Sequence, residues 1–337
     1  MRAWILAAGA FLCLPAWGQG TPGDAPTLTT TTRLVVVPAL VRSQAGELIH
    51  TLQAEDFRLT DDGAPQTLSL EDAEGQPVSA VVLMQTGGAA AREFKAYSHL
   101  LTMLDYLMAS SSRRVAMVSF DSQPEEQWDF TTHIEKLEDG FTNPTEGDGK
   151  AAIFDAVNYG IELLKKEPPN RRRVLILLSQ THDDGSKAHA EDVVRGLGEN
   201  NVIIYSVAFS VEKNWLKDQF AGDRHGNKPY KMSPDYPPLQ GTFDLMTPLV
   251  KAVQAMRKNA ASEIAALSGG EYVQFGGQRD LEQELGDLAN HLPNRYVLSF
   301  RPTSNAAGLH TLRLEVPGHP ELQIAARTSY WVSEGTP

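Results

Sequence analysis

Val78-Ser79-Ala80-Val81-Val82-Leu83-Met84 (VSAVVLM) is apolar at all but one position, and Gln85-Thr86-Gly87-Gly88-Ala89 follows it directly. A strand with one wet face alternates polar and apolar residues. A run without that alternation is buried on both faces, as in the parallel sheets of α/β folds. Phe94, Tyr97, Leu101, Leu104 and Met108 then recur at three- and four-residue steps, which is helical spacing. The rhythm continues with strands over Val115–Phe120 and around Trp128–Phe130, and a helix carrying Ile153, Val157, Ile161 and Leu164. Next come a strand Arg173–Leu178, a helix near Ala188–Leu197 and a strand Val202–Phe209. A helix from Leu249 to Ser268, capped by Gly269-Gly270, a strand Tyr272–Phe275 and a helix near Leu281–Leu292 complete it. Such alternation predicts a three-layer, Rossmann-like α/β domain with a mostly parallel sheet over 77–292. The proline-rich, polar stretch 211–247 interrupts the pattern and reads as a long functional or disordered loop.

On either side of this unit the chain reads as β. Arg33–Arg42 (RLVVVPALVR) is rich in β-branched residues, with Pro38 suggesting an edge or a bulge. Phe57 and Leu59 alternate with Arg58 and Thr60, and Asp61-Asp62-Gly63 supplies a turn before Thr67–Leu70. After Pro293, short strands are expected at Tyr296–Phe300, Leu309–Val316, Leu322–Ala326 and Tyr330–Val332. Neither end is large enough to bury a core alone. Segments 33–76 and 293–333 are therefore expected to pack together as a small all-β sandwich, with the α/β domain inserted between them.

The first residues address location. Arg2 is the only charge before the uncharged, mostly apolar stretch Ala3–Gly18, too short to span a bilayer and fitted to a secretory signal peptide. Ala16-Trp17-Gly18 places small residues before a cut that leaves Gln19 as the new N-terminus, and 19–32 reads as a disordered, Thr-rich leader. Leu12 occupies the place where a lipid-anchoring motif around Cys13 wants a small residue, so Cys13 goes with the peptide. The exported chain, periplasmic or secreted, then has no disulfides to hold it. Net charge is −12, or −13 once the +1 of Arg2 is removed. That acidity disfavours phosphate backbones, so no nucleic-acid partner is expected. No second long apolar run appears, so no transmembrane segment is expected in the mature chain.

Several words, in order, resemble one family: the strand ending in Val41, Glu55-Asp56-Phe57, Asp61-Asp62-Gly63, Pro65-Gln66, Phe154-Asp155-Ala156, Leu177-Leu178-Ser179, Ile203-Ile204-Tyr205, Leu267-Ser268-Gly269-Gly270 and Tyr296-Val297-Leu298. No single word is specific; the ordered set over 33–332 resembles the exported bacterial proteins related to the von Willebrand factor type A (VWA) domain, of the acidobacterial type. The resemblance implies a recognition or adhesion module. In the wider family a metal-ion-dependent adhesion site uses an Asp-x-Ser-x-Ser loop, a Thr and a further Asp, whose hard oxygens hold Mg²⁺ while a partner carboxylate takes an open position. Carried onto this chain, those positions are Gln85, Gly87, Ala89, Ala151 and Gln180. Two carboxylates become amides and three hydroxyls are lost. The resemblance therefore implies a degenerate site, with no metal and no cofactor.

Other chemistry is weaker. Thr181-His182-Asp183-Asp184 lies beyond a strand's C-terminal end, where α/β ligand sites form, and with His189 could suggest a metal-dependent hydrolase. A polar loop with a helix cap is the simpler reading, because no second cluster has ligand spacing. Thr86-Gly87-Gly88 lacks the full glycine pattern and the lysine of a phosphate loop. Ser179 has no G-x-S-x-G around it. Asp155 reads as a surface or capping carboxylate. Lys165-Lys166 and Arg171-Arg172-Arg173 read as solvated charge or a docking patch. Trp128, Trp215 and Tyr230 are candidate aromatic anchors.

The expectation is a non-catalytic, metal-independent module that recognises another protein outside the cytoplasm. Its contact surface would comprise the 85–90, 148–152 and 180–186 loops and the 211–247 segment, with Gln85, Thr86, Gln180, Thr181, His182 and Asp183 touching the partner. The competing readings are a hydrolase using His182, Asp183 and Asp184, and a structural envelope scaffold.

Overall fold

β5 (Val78–Gln85) is buried along its whole length, because parallel neighbours flank it and helices cover both faces. In the computed structural model, which describes residues 34–72, 76–98, 100, 101, 104, 112–209 and 246–334, β5 pairs with β6 (Arg113–Phe120) on one side and β8 (Arg172–Gln180) on the other. β9 (Val202–Phe209) and β10 (Glu271–Phe275) extend the sheet beyond β8. β7 (Pro124–Thr131) closes the opposite edge antiparallel to β6. The order is β10-β9-β8-β5-β6-β7, a mostly parallel sheet of the Rossmann-like kind.

The period of two explains the layers. Val78, Ala80, Val82 and Met84 join Val174, Ile176 and Leu178 in one core, under the helices Glu138–Thr142 and Gln278–His291. Val81 and Leu83 join Leu175 and Leu177 in the other, under Ile153–Lys165, Ala190–Asn200, Met246–Lys258 and Ala260–Ser268. Each such aliphatic side chain contributes about 1.5–3 kcal/mol on burial.

The helix expected from Leu249 to Ser268 is two helices. Asn259 takes an extended conformation between them, and its side-chain oxygen accepts the Ser262 N–H at 2.9 Å. Asparagine competes with helix continuation by capping a new one. Gly269 ends the second helix at φ 79°, as a left-handed cap should. Of the helix expected through Phe94 and Met108, Phe94–Tyr97 is described and Met108 lies outside the described residues, as do 1–32, Trp215, Tyr230 and the 211–245 part of the long loop.

The ends of the chain form two four-stranded sheets. One has the order β13-β1-β11-β4, the other β14-β12-β2-β3. Here β1 is Val35–Arg42, β2 Arg58–Asp61, β3 Ala64–Gln66 and β4 Leu68–Glu71. β11 is Tyr296–Phe300, β12 Gly308–Glu315, β13 Gln323–Ala326 and β14 Ser329–Val332. Val35, Val37, Leu298 and Phe300 of the first sheet share a core with Leu59, Leu312 and Tyr330 of the second. Pro38 sits on an inner strand, which corrects the edge expectation. The β13 ladder stops at the Ala39–Ala326 pair, and the Pro38 carbonyl points to the same side, accepting the Arg327 N–H at 3.3 Å. The missing N–H of proline therefore falls where the ladder has already ended.

The described residues belong to one compact unit. Within it, Arg327 is buried and its guanidinium donates to the carbonyls of Leu197 and Gly198 (both 3.0 Å), Val36 (3.2 Å) and Ser329 (2.7 Å), and to Asn201 Oδ1 (2.6 Å). It thus neutralises the C-terminal end of helix Ala190–Asn200. At the far edge, buried Glu271 receives Arg42 (2.8 Å), Arg295 (2.7 Å) and His291 Nδ1 (2.9 Å). Among the described residues no helix is long and apolar enough to cross a membrane.

Candidate functional site

β5 is the point where the sheet order reverses: the chain leaves it towards β6 and later returns to its other side as β8. Ligands of open α/β sheets bind at such a point, beyond the C-terminal strand ends. Here those ends are Gln85 and Gln180. The loop after β5, the 147–151 loop and the 181–186 loop meet over them.

Backbone groups decide how the two glutamines face each other. The Gln180 N–H can only donate, so the atom it meets at 2.7 Å is Gln85 Oε1. The Gly87 carbonyl can only accept, so the atom at 2.9 Å is Gln85 Nε2. The second hydrogen on Nε2 is then directed to Gln180 Oε1 at 3.2 Å, and Gln180 Nε2 donates to the His182 carbonyl at 2.8 Å. Both hydrogens of the Gln85 amide are thus committed, and each polar atom of the Gln180 amide has a protein partner.

The loops are drawn together by main chain. Gly88 N–H donates to the Asp148 carbonyl at 2.7 Å and Gly147 N–H to the Thr86 carbonyl at 3.2 Å. A Cβ on Gly87 would lie 2.2 Å from the Lys150 carbonyl, so only glycine permits this approach. Ala151 and Asp184 exchange both backbone bonds at 2.9 Å, which joins the 147–151 and 181–186 loops. Asp121, at the end of β6, is buried and accepts the N–H groups of Gln123 (3.2 Å) and Asp148 (2.9 Å).

The structure sorts the expected contact residues. Gln85 is fully buried and Thr86 nearly so, its hydroxyl donating to the Phe120 carbonyl at 3.2 Å. Neither faces solvent, which corrects the expectation that they touch a partner: both are consumed in holding the loop. Gln180, Thr181 and Asp183 are half-buried, and His182 is exposed. Asp183 accepts the Phe154 N–H at 3.0 Å and the Ser186 hydroxyl at 2.5 Å, so it caps helix Ile153–Lys165. Burial raises its pKa, and the Ser186 and backbone hydrogen bonds offset part of that rise. Asp184 pairs with Lys150 at 2.9 Å on the surface. His182, Asp183 and Asp184 therefore do not converge on one point. Asp155 accepts the Lys187 and Ala188 N–H groups at 3.0 and 2.8 Å, so it holds the loop that leads into helix Ala190–Asn200.

Gly87, Ala89 and Ala151 bring no side-chain donor to the site. Asp121, Ser186 and Lys150 were not singled out from sequence. A Phe-Asp-Ser word at a strand's end was the available signal for Asp121; for Lys150 and Ser186 there was none. Arg171 is no docking group: it donates to Ser79 Oγ (2.7 Å) and to the Val78 (2.6 Å) and Ser112 (2.9 Å) carbonyls at the opposite end of the sheet. Trp128 packs partly on the core.

Residues 89–242 match the von Willebrand factor type A domain. That stretch is similar to a VWA domain. The match opens at Ala89, so Gln85 and Gly87 precede it. No curated protein matches the chain. Similar solved structures include an aerotolerance-related membrane protein from Bacteroides fragilis, 11% identical over 63% of this chain and 98% of that one, with a TM-score of 0.41. The PilB minor pilin from Streptococcus sanguinis is 11% identical over 66% and 63% of the two chains, with a TM-score of 0.42. Proximal thread matrix protein 1 from the mussel byssus is 16% identical over 70% and 50%, also at 0.42.

Proposed function

We propose that this VWA-type chain is a non-catalytic recognition module that binds a protein partner at the C-terminal edge of its sheet without a bridging metal. The observation that carries the reading is the closed pair Gln85–Gln180. VWA domains that use a metal-ion-dependent adhesion site offer anionic oxygens there. These two amides are neutral, already bonded to each other, and joined by no side-chain oxygen from 87, 89 or 151. A dication would have to break that lock and gain no charge from either amide to offset its own desolvation. The residues do not fit Mg²⁺.

The rim around the lock indicates the partner's chemistry. Glu125, Glu146, Asp148 and Asp184 are exposed beside Lys150 and Lys187. Glu125 is pushed upward by burial and by the charges of Asp121 and Asp148, a sign of crowded anions. A cationic partner surface fits this edge, with His182 and Thr181 supplying hydrogen bonds. Recognition is favoured over hydrolysis because Asp183 is committed to a helix cap and Asp184 to Lys150.

The start of the chain, Arg2 before the apolar Ala3–Gly18, supports export and action outside the cytoplasm. The shared core of the two terminal sheets supports reading them as one β-sandwich into which the α/β unit is inserted.

Co-purification from native envelope and medium tests the function. A discrete partner should be captured by the wild type at low salt and lost in an Asp148→Lys, Asp184→Lys double variant. Capture should be unchanged in Lys136→Glu, outside the loop cluster. Equal capture by all three would refute the assigned surface, and hydrolytic turnover by the purified chain would refute the non-catalytic reading.

A further inference from the structure

A second polar cluster lies on the terminal sheets, away from the Gln85–Gln180 loops. β2 ends at Asp61, and the two-residue turn Asp62-Gly63, with φ 48° and 84°, leads into β3. This is the left-handed pair that a tight hairpin requires, and Asp tolerates it. β12 pairs with β2 through Leu312–Asp61, which brings His310 across from a position 249 residues earlier. The imidazole stacks on Tyr330 at 4.7 Å and is buried.

Each of the three side chains has one atom pinned outward and one turned inward. His310 Nε2 lies 2.7 Å from the Ala306 carbonyl, and a carbonyl only accepts, so that nitrogen carries a hydrogen. Asp61 Oδ2 accepts the Tyr330 hydroxyl at 2.7 Å, and Asp62 Oδ1 accepts the Thr311 N–H at 2.9 Å. The inward atoms are His310 Nδ1, Asp61 Oδ1 and Asp62 Oδ2. Nδ1 is 3.1 Å from the first oxygen and 3.0 Å from the second, and all three lie within 4.8 Å of one another.

We propose that Asp61, Asp62 and His310 form a divalent-cation site, with Zn²⁺ the best-matched ion. Two donors 3.0–3.1 Å apart can both sit about 2.0–2.2 Å from one ion, at roughly a right angle. One imidazole and two carboxylates suit Zn²⁺ better than the all-oxygen preference of Mg²⁺ or Ca²⁺. A ligating histidine whose other nitrogen donates to a backbone carbonyl, and carboxylates whose second oxygens are hydrogen-bonded, are the outer partners such a site needs. Charge points the same way: a single imidazole proton faces two carboxylates and leaves the cluster at −1, whereas a dication with a neutral ring brings it to zero. The Asp62 side chain is 20% exposed, which leaves a path for the ion and for water in the remaining coordination positions.

Without metal, burial disfavours the charged ring, but the hydrogen bonds it donates to Asp61, Asp62 and the Ala306 carbonyl outweigh that and raise the His310 pKa to about 10.

Calorimetric titration of the chelator-treated full chain with ZnCl₂ tests the site. The wild type should bind one equivalent and gain thermal stability. Asp62→Asn keeps a turn-compatible residue and an acceptor for Thr311, so it should fold with a wild-type circular dichroism spectrum yet bind more weakly by at least the roughly 10–100-fold that loss of a mere outer partner causes. His319→Gln, which removes an exposed histidine paired with Glu321, should behave as wild type. Absence of stoichiometric binding by the wild type, or undiminished binding by folded Asp62→Asn, overturns the proposal. Neither result bears on the Gln85–Gln180 edge, where Mg²⁺ is the relevant ion.

Discussion

The backbone N–H of Gln180 donates to Gln85 Oε1 at 2.7 Å, and Gln85 returns a hydrogen bond to Gln180 Oε1 at 3.2 Å, across adjacent parallel strands. Two side chains 95 residues apart thus close this end of the sheet.

Replacing Gln85 by its isosteric acid tests this closure. In Gln85→Glu the group facing the Gly87 carbonyl and Gln180 Oε1 changes from donor to acceptor, and a buried charge is added. A loss of about 2–4 kcal/mol is expected in urea unfolding. A change below about 0.5 kcal/mol would mean that the amide contacts are not formed.

Gly87→Ala addresses the loop. Its Cβ would sit 2.6 Å from Asp121 Cβ and 2.9 Å from the Asp148 carbonyl besides the Lys150 contact. These are backbone and buried atoms that cannot swing aside. The expected result is lower stability, with faster amide exchange at Gly88 and Gly147, whose bonds join the two loops.

Acid should weaken the far edge of the sheet. Burial alone would raise the Glu271 pKa, but Arg295, then His291 and Arg42, bring it down to about 2. A carboxylate with a depressed folded-state pKa contributes stability above its unfolded value near 4.5, and loses it as pH falls from there through about 2. The contribution is on the order of 3 kcal/mol. Wild-type stability should decline across that window more steeply than that of Glu271→Gln, which lacks the titrating group and is less stable at neutral pH.

Arg327→Lys keeps the charge but not the fork that serves five oxygens. The expected cost is about 3 kcal/mol or more. Hydrogen exchange should rise in helix Ala190–Asn200 and in β14 together, since Arg327 holds both. A local effect confined to β14 would show that the arginine does not join them.

Which parts of this were legible follows from sequence distance. Val202–Phe209 and Tyr296–Phe300 announce themselves because a doubly buried or β-branched run is a local signal, and their observed bounds are those read from the residues. Asn259 could be passed over because the apolar spacing continues across it while its capping bond depends on backbone geometry. Pro38 suggested an edge, since nothing local shows where a neighbouring ladder ends. For the site, the strand-end positions of Gln85 and Gln180 were readable, but the burial of Gln85 was not: the loop that follows it is bonded to the distant 147–151 loop. Glu271 with Arg42, and His310 with Asp61, are joined over more than 200 residues, and no spacing in the sequence points to either.

The most direct test of the central claim is a Mg²⁺ titration followed by ¹H–¹⁵N correlation spectra with the loop amides assigned. The amide lock predicts that Gly87, Gly88, Ala151, Gln180 and Thr181 keep their positions through millimolar Mg²⁺. Saturable shifts confined to those residues would place a metal where the two glutamines meet and contradict the account.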